Sequence, residues 1–413
     1  MMKNYYDVVI IGAGAAGLGA AHALKNSDLS CLLLEARNRI GGRAHTLMLP
    51  DDIAFDEGCG WLHAADKNSF VPVAENLGFE ISKERPPWGD SNVGKADRDG
   101  FEAAMDAFYE RLHNGAKTGA DAPASHWLEP GNRWNAAIES AGTYINGCAL
   151  SEVSTHDLDA YTATGKNWRI VKGYGALVSA YGSGCPVALE TQVNVINHSD
   201  ARIKIETTRG TLQAKAVIVT LPTNLIAEEG VRFVPPLPSK REAAANLPLG
   251  VANKVLLRLE GAEEFPADGY LNMPLTRVDK GAYHLRPFGK NCIEGYFGGG
   301  FARQLDVAGE GALSAQAIDE IVSVLGSDFR SRLKPLHESR WVSDLLARGS
   351  YSFAKAGHSK DRSRLAEPVD DRLFFAGEAT SPHFFSTAHG ARDTGERAAI
   401  EILKVLKTSA GIS

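Results

Sequence analysis

The stretch Asp7-Val8-Val9-Ile10-Ile11-Gly12-Ala13-Gly14-Ala15-Ala16-Gly17 decides the fold. An apolar run ends in a glycine-rich turn, small residues continue to Ala23, and Cys31-Leu32-Leu33-Leu34-Glu35 runs apolar into an acid. Strand, turn, helix and second strand make a βαβ unit, the context in which G-x-G-x-x-G binds a dinucleotide. Gly12 permits the tight turn, Gly14 lets the backbone approach a pyrophosphate while Ala15 and Ala16 open the helix, and Gly17 allows close helix–strand packing. The helix N-terminus presents N–H groups and a positive dipole end to phosphate. Glu35 stands where a carboxylate accepts hydrogen bonds from a ribose diol and repels the extra phosphate of an NADP-type ligand.

Working outward, Glu35-Ala36-Arg37-Asn38-Arg39-Ile40-Gly41-Gly42-Arg43-Ala44 places two adjacent glycines beside an arginine. That is a second phosphate-reading loop, for which a nicotinamide enzyme has no need. On these residues the chain resembles the flavin-containing amine oxidase family, which includes monoamine oxidases, polyamine oxidases and histone lysine demethylases. The resemblance implies FAD, held by the two glycine loops together with Glu35, Ala36, Arg37 and Arg43. Carotenoid desaturases and protoporphyrinogen oxidases share this N-terminal part, so the reaction class has to be read further along.

Composition fits a soluble enzyme. A chain of 413 residues, 44% of them hydrophobic, buries a large core and is expected to form two domains. A net charge of -6 without a basic run argues against a nucleic-acid partner. No apolar stretch reaches membrane-spanning length and the first strand begins within a few residues, so neither an anchor nor a signal peptide is expected and the location is cytoplasmic. Cys31, Cys59, Cys148, Cys185 and Cys292 are odd in number and form no C-x-x-C pair, which predicts reduced cysteines and no zinc site. The oligomeric state stays open, with a homodimer as one option.

Phe55-Asp56-Glu57-Gly58-Cys59-Gly60-Trp61-Leu62-His63 resembles the family segment that runs beneath the flavin toward the substrate. Residues 101–149 read helical, with Phe101, Met105, Phe108 and Leu112, then Trp134, Ile138 and Ala141, at three- and four-residue spacing; these stripes predict core faces. Residues 187–196, 201–207 and 214–220 read as strands, the last closed by Leu221-Pro222. Val193 matches a family valine that meets the adenine through its backbone. Val234-Pro235-Pro236-Leu237-Pro238 marks a crossing between domains, and the chain returns near Ser339. The expected fold is α/β. A Rossmann-like FAD-binding domain (residues 1–80, 155–233 and 338–413) joins a discontinuous α+β substrate-binding domain (residues 81–154 and 234–337).

Lys254 carries the chemistry in this reading. It is the single lysine of the apolar strand in Leu247-Pro248-Leu249-Gly250-Val251-Ala252-Asn253-Lys254-Val255-Leu256-Leu257, and the family lysine at this motif bonds through a water to flavin N5. Partial desolvation is expected to lower its pKa, poising it for proton handling or for oxygen chemistry. Near the C-terminus, Leu373-Phe374-Phe375-Ala376-Gly377-Glu378-Ala379-Thr380 precedes Phe384-Phe385-Ser386-Thr387-Ala388-His389-Gly390-Ala391. By resemblance, Gly377 and Glu378 meet the ribityl chain. The helix beginning near Thr387 and Ala388 aims its N-terminus at the pyrimidine end of the ring.

Ser350 stands where monoamine oxidases carry the cysteine bonded to flavin, so FAD binding is expected to be non-covalent. Tyr351 matches one wall of the family's aromatic cage, and Trp341 matches a tryptophan near the ring. The other cage tyrosine falls at Thr387, which together with His389-Gly390-Ala391 looks closer to the polyamine oxidase and demethylase branch. His63 matches a substrate-channel histidine of polyamine oxidases. The implied reaction is hydride transfer from the α-carbon of an amine to flavin N5, hydrolysis of the imine, and reoxidation by dioxygen to hydrogen peroxide. An amine or amino-acid dehydrogenase or desaturase using another acceptor is the alternative, and an amino-acid substrate would call for a carboxylate clamp such as Arg286 or Arg303. A flavin-bound scaffold without turnover is disfavoured by the presence of Lys254 and Glu378.

Overall fold

A computed structural model describes residues 3–84 and 92–409. Residues 85–91 and 410–413, which fall within the expected substrate- and FAD-domain spans, lie outside the described residues. The strand Tyr5–Ile11 sits inside an eight-stranded sheet, parallel to Cys31–Leu34 on one side and to Gly210–Val219 on the other. Its side chains alternate between two cores, Val8 and Ile10 on one face and Val9 and Ile11 on the other, which is why the run is apolar throughout rather than alternating. Leu373–Phe375 also pairs with Gly210–Val219, bringing the C-terminal motif beside the first glycine turn.

Two helices cover one face of this sheet. Ala15–Leu24 and Ala388–Ser409 approach so closely that a Cβ on Gly19 would lie 2.5 Å from the Arg392 carbonyl oxygen and one on Gly395 1.9 Å from that of Ala16. Their packing fixes both helix N-termini toward the same space. A second sheet of five antiparallel strands runs in the order Gly269–Asn272, Ala282–Leu285, Cys292–Gly298, Ala252–Leu259, Leu333–Glu338. One face buries Val255, Leu257, Tyr283, Ile293 and Phe297 against helices Gly299–Ala308 and Ala312–Leu325. The opposite face carries Lys254, Tyr296 and Ala282 in register across three strands.

Two expectations change. Residues 187–196 are not one strand: Val187–Ala188 extends the sheet beside Cys31–Leu34, whereas Val193–Asn197 lies toward its other edge. The chain turns between them at Glu190, whose φ is 52°. Residues 101–149 hold two helices, Lys95–Thr118 and Asn135–Asn146, whose stripes only partly face a core. Phe108, Leu112 and Ile138 are buried there with Phe101, Met105 and Trp134 packed against them, and Phe101, Met105, Leu112 and Ala141 also line the cavity described below. Periodicity identifies the inward face of a helix and leaves open what lies across from it.

Candidate active site

The two sheets enclose a cavity of about 1230 Å³, and every residue that the resemblance assigns to flavin, substrate or catalysis except Gly17 lines it. Gly17 serves packing alone, since its Cβ would lie 2.0 Å from the Gly12 carbonyl oxygen. Gly12, at φ +100° and with a Cβ position 2.6 Å from Thr220 Oγ1, is likewise required by the protein itself. Gly14 is different. Its φ of -76° suits any residue and its Cβ would meet nothing nearer than 3.9 Å, so the fold alone does not demand glycine there. A group lying against the backbone in the cavity does, and a pyrophosphate fits that cradle. Gly14 forms a bridge with Gly41, bringing the two glycine loops together, while the first-turn N–H groups of Ala15 and Ala16 lack intrahelical acceptors. Glu35 accepts from Ala13 N (2.8 Å) and Arg37 N (2.9 Å), which fixes its carboxylate with lone pairs to spare for a diol. Ala36 and Val193 complete this end, and Arg37 is held by Asp344 at 2.8 Å.

Glu378 is held by hydrogen bonds within the protein at the cavity wall. Its oxygens accept from Arg43 Nη1 (2.9 Å), Ser352 N (3.1 Å), Ser352 Oγ (2.6 Å) and Ser386 N (2.9 Å), which uses about the four positions a carboxylate offers. Burial would raise its pKa, but the Arg43 charge, the Ser352 hydrogen bond and the Arg362 charge hold it below the usual range. Glu378 therefore organises Arg43 and the loop before the last helix. Arg43 Nη1 also donates to the Ser350 carbonyl at 2.6 Å. Ser350 Oγ accepts from Ala252 N (2.8 Å) and donates to Ala252 O (3.0 Å). Thr387 Oγ1 accepts from Gly390 N (3.0 Å) and donates to the Phe384 carbonyl (2.6 Å), capping the Ala388–Ser409 helix at the cavity wall.

Lys254, 4% exposed, donates to the Asp56 carbonyl at 2.9 Å and pairs with Glu294 Oε1 at 3.1 Å. The expectation of a lysine in an apolar setting missed this partner, which stabilises the ammonium in place. Burial would raise the Glu294 carboxyl, but the charges of Lys254, Arg169 and His284 bring it to about 2. Arg169 bonds Glu294 Oε2 at 3.1 Å and is flanked by the rings of Trp61 and Phe288. Sequence offered one clue, a lone acid in the apolar run Cys292–Gly298 to match the lone lysine in its neighbour. Trp341 lies beside this edge with its indole N–H on the Glu57 carbonyl (3.1 Å).

The remaining arm is lined by aromatic side chains. Tyr351 Oη donates to the Tyr144 carbonyl at 2.5 Å and lies 3.0 Å from Tyr296 Oη, and the Tyr144 and Tyr296 rings meet edge to face at 5.8 Å. With the Thr387 hydroxyl committed to capping, the aromatic contact on that side comes from Phe385 against Tyr161, 5.2 Å between centroids. His63 Nδ1 donates to Asn167 Oδ1 at 2.8 Å, leaving Nε2 an acceptor, and burial lowers its pKa against that hydrogen bond. His389 is buried behind this wall rather than lining it, and burial brings it to about 3. Neither Arg286 nor Arg303 lines the cavity; Arg286 is spent on the carbonyls of Phe265 and Gly289.

Residues 88–403 match the family model for flavin containing amine oxidoreductase, and residues 10–74 match an NAD(P)-binding Rossmann-like domain. The chain belongs to the flavin-containing amine oxidoreductases. FAD is its cofactor. It is 28% identical to polyamine oxidase 3 of Oryza sativa subsp. japonica, over 96% of this chain and 88% of that protein. It is 27% identical to human lysine-specific histone demethylase 2, over 97% of this chain but only 54% of the relative, so it spans about half that protein's length. A solved mutant of putrescine oxidase superposes with a TM-score of 0.82 over 97% of this chain and 99% of the other at 17% identity, a likeness of fold. Among the described residues no helix is long and apolar enough to cross a membrane, and no cluster of potential metal ligands occurs.

Proposed function

We propose that the chain is an amine oxidase with dioxygen as electron acceptor and hydrogen peroxide as co-product. The observation that carries this reading is one continuous cavity linking the glycine loops to an aromatic arm, with Lys254 at the junction. FAD, when bound, supplies the acceptor for hydride from the α-carbon of the amine. Gly12, Gly14, Ala15, Ala16, Gly41 and Gly42 would cradle its pyrophosphate with backbone, Glu35 its ribose, and the Thr387–Ala388 helix start the pyrimidine edge. Arg43 and Gly377 would flank the chain between. Lys254 Nζ, with two acceptors already in place, keeps one N–H for a water or oxygen species at the reacting edge. Tyr351, Tyr296 and Tyr144 exclude water around the amine, and neutral His63 offers Nε2 as a proton acceptor.

The names of the rice polyamine oxidase and of the putrescine oxidase support an amine as substrate. We further assign the eight-stranded sheet and its helices to an FAD-binding domain, and the five-stranded sheet with helices Lys95–Thr118 and Asn135–Asn146 to a substrate-binding domain. All five cysteines are free, which supports a reducing compartment such as the cytoplasm.

Anaerobic mixing of the holoenzyme with a panel of mono-, di- and polyamines tests the reading. Bleaching of the flavin absorbance, followed by rapid recovery and stoichiometric peroxide on admitting oxygen, is expected. No bleaching by any amine sinks the proposal, and bleaching with slow recovery in oxygen replaces the oxidase with a dehydrogenase.

A further inference from the structure

Three lysines are buried among the described residues, and they are not equally satisfied. Lys240 gives its ammonium to three carbonyl oxygens, those of Arg364, Leu365 and Glu367. Lys254 has the Asp56 carbonyl and the Glu294 carboxylate. Lys280 is 6% exposed and lines the cavity, and its carbonyl accepts from Tyr144 Oη at 2.8 Å, yet the one partner of its ammonium among the described residues is the Pro274 carbonyl at 3.1 Å. An ammonium has three donors, so two remain without an acceptor among the described residues. The nearest acid does not relieve it: Glu320 accepts from Gly281 N and Tyr283 Oη at 2.8 Å each and pairs with Arg277. Burial pulls the Lys280 pKa down to about 8, with Glu320 opposing and Arg277 assisting. A buried cation left so poorly paired is costly to the fold unless something else binds it.

Its surroundings suit an anion. Tyr270, on the same cavity, has a hydroxyl without a hydrogen-bond partner among the described residues, and the Asn272 side chain lies beside it on the same strand. The carboxylates of the arm are committed elsewhere: Glu294 to Lys254 and Arg169, Asp159 to His113 at 2.7 Å, while Glu102 is exposed at the rim. Among the described residues, no buried free carboxylate therefore awaits a second ammonium, as a long polyamine would need. Lys280 lies just before the strand Ala282–Leu285, two strands across from Lys254, a separation on the order of 10 Å from ordinary strand spacing. That is too far for the carboxylate of an α-amino acid whose α-carbon reacts beside Lys254.

We propose that Lys280 is an anion-recognition subsite at the far end of the substrate arm, and that the amine oxidised here carries a terminal carboxylate remote from its amino group. The inference rests on the amine-oxidase reading and selects the substrate class within it. The test is anaerobic rapid mixing of the holoenzyme with ω-aminocarboxylates from 4-aminobutanoate to 8-aminooctanoate, each beside the alkylamine and the diamine of equal length. The apparent Kd for flavin reduction is the readout. At the best-fitting length the aminocarboxylate is expected to bind at least about tenfold more tightly than the diamine, the scale of one charge-assisted hydrogen bond. Lys280→Gln should erase that ratio and Lys280→Arg should retain it, with bound FAD reporting that each variant is folded. Diamines preferred over aminocarboxylates, or an unchanged ratio in Lys280→Gln, overturns the assignment while leaving the oxidase intact. Failure of every amine to reduce the flavin overturns both.

Discussion

The two ends of the cavity are built by opposite means. At the dinucleotide end, the surface is backbone from segments close in sequence, Gly12 to Gly17 and Glu35 to Arg43, brought together where Gly14 bridges Gly41. At the substrate end the surface is side chains from segments as distant as Tyr144, Lys280, Glu294 and Tyr351, brought together by strand register. Backbone recognition ties a residue type to a conformation, so the first end is conspicuous in sequence. Side-chain recognition leaves almost any residue permissible at almost any position until the register is known.

The sharpest way to break this comparison is to place a side chain on each of two glycines. Gly14→Val adds bulk where the protein has room and the cavity begins, so a folded protein that has lost essentially all bound FAD is expected. Gly17→Val drives a Cβ into the Gly12 carbonyl and should not fold at all. Flavin absorbance and circular dichroism separate the outcomes. Normal FAD occupancy in Gly14→Val would mean that the glycine loops do not hold the pyrophosphate.

At the junction of the two ends, Lys254→Met should retain FAD because the lysine touches none of the phosphate loops. Reoxidation by oxygen should slow by about tenfold to a thousandfold, equivalent to roughly 1.4 to 4 kcal/mol of transition-state stabilisation, with amine-driven reduction less affected. Glu294→Gln keeps the shape and removes the charge that holds the ammonium. A loss of about tenfold in reoxidation is expected. Stopped-flow measurement of the two half-reactions checks both, and unchanged reoxidation in Glu294→Gln would reduce the acid to a packing residue.

What sequence could show follows the same division. The βαβ unit, the strand carrying Lys254 and the strand and helix around Glu378 were legible, because turn geometry and unbroken apolar runs are local properties. Glu294 was not singled out, since only the pairing of its strand with that of Lys254 gives it a partner. The break at Glu190 is hard to read because Glu190-Thr191-Gln192 fits the alternation of a single strand as well as a turn between two. The protein donors to Glu378 are not legible, because Ser352 and Ser386 lie on loops whose approach no spacing reveals. Phe101 and Met105 pack against the core as their spacing predicts, but that they also line the cavity is not legible, because a helix stripe facing a cavity has the same period as one facing other side chains.

The smallest expected effect concerns the clasp that joins the two ends. Glu57, on the segment after the hairpin strand Ile53–Asp56, lies 2.5 Å from His45 Nδ1 on the dinucleotide side and 2.7 Å from His337 Nε2 on the five-stranded sheet. Burial would raise its carboxyl, but the hydrogen bonds from His337 and His45 outweigh it and bring the pKa from 4.5 to about 2. A depressed acid stabilises the folded state fully above its unfolded pKa and loses that contribution as pH falls toward its folded one. The clasp is therefore worth up to about 3 kcal/mol at neutral pH, and the window in which it fades runs from about 4.5 down to about 2. Glu57→Gln should lower the melting temperature by a few degrees at pH 7, and the gap from wild type should narrow as the pH falls below about 4.5. Thermal melts of both proteins across that range decide the point. A gap that stays constant would mean that Glu57 joins the two ends by shape and hydrogen-bond count, with no contribution from its charge.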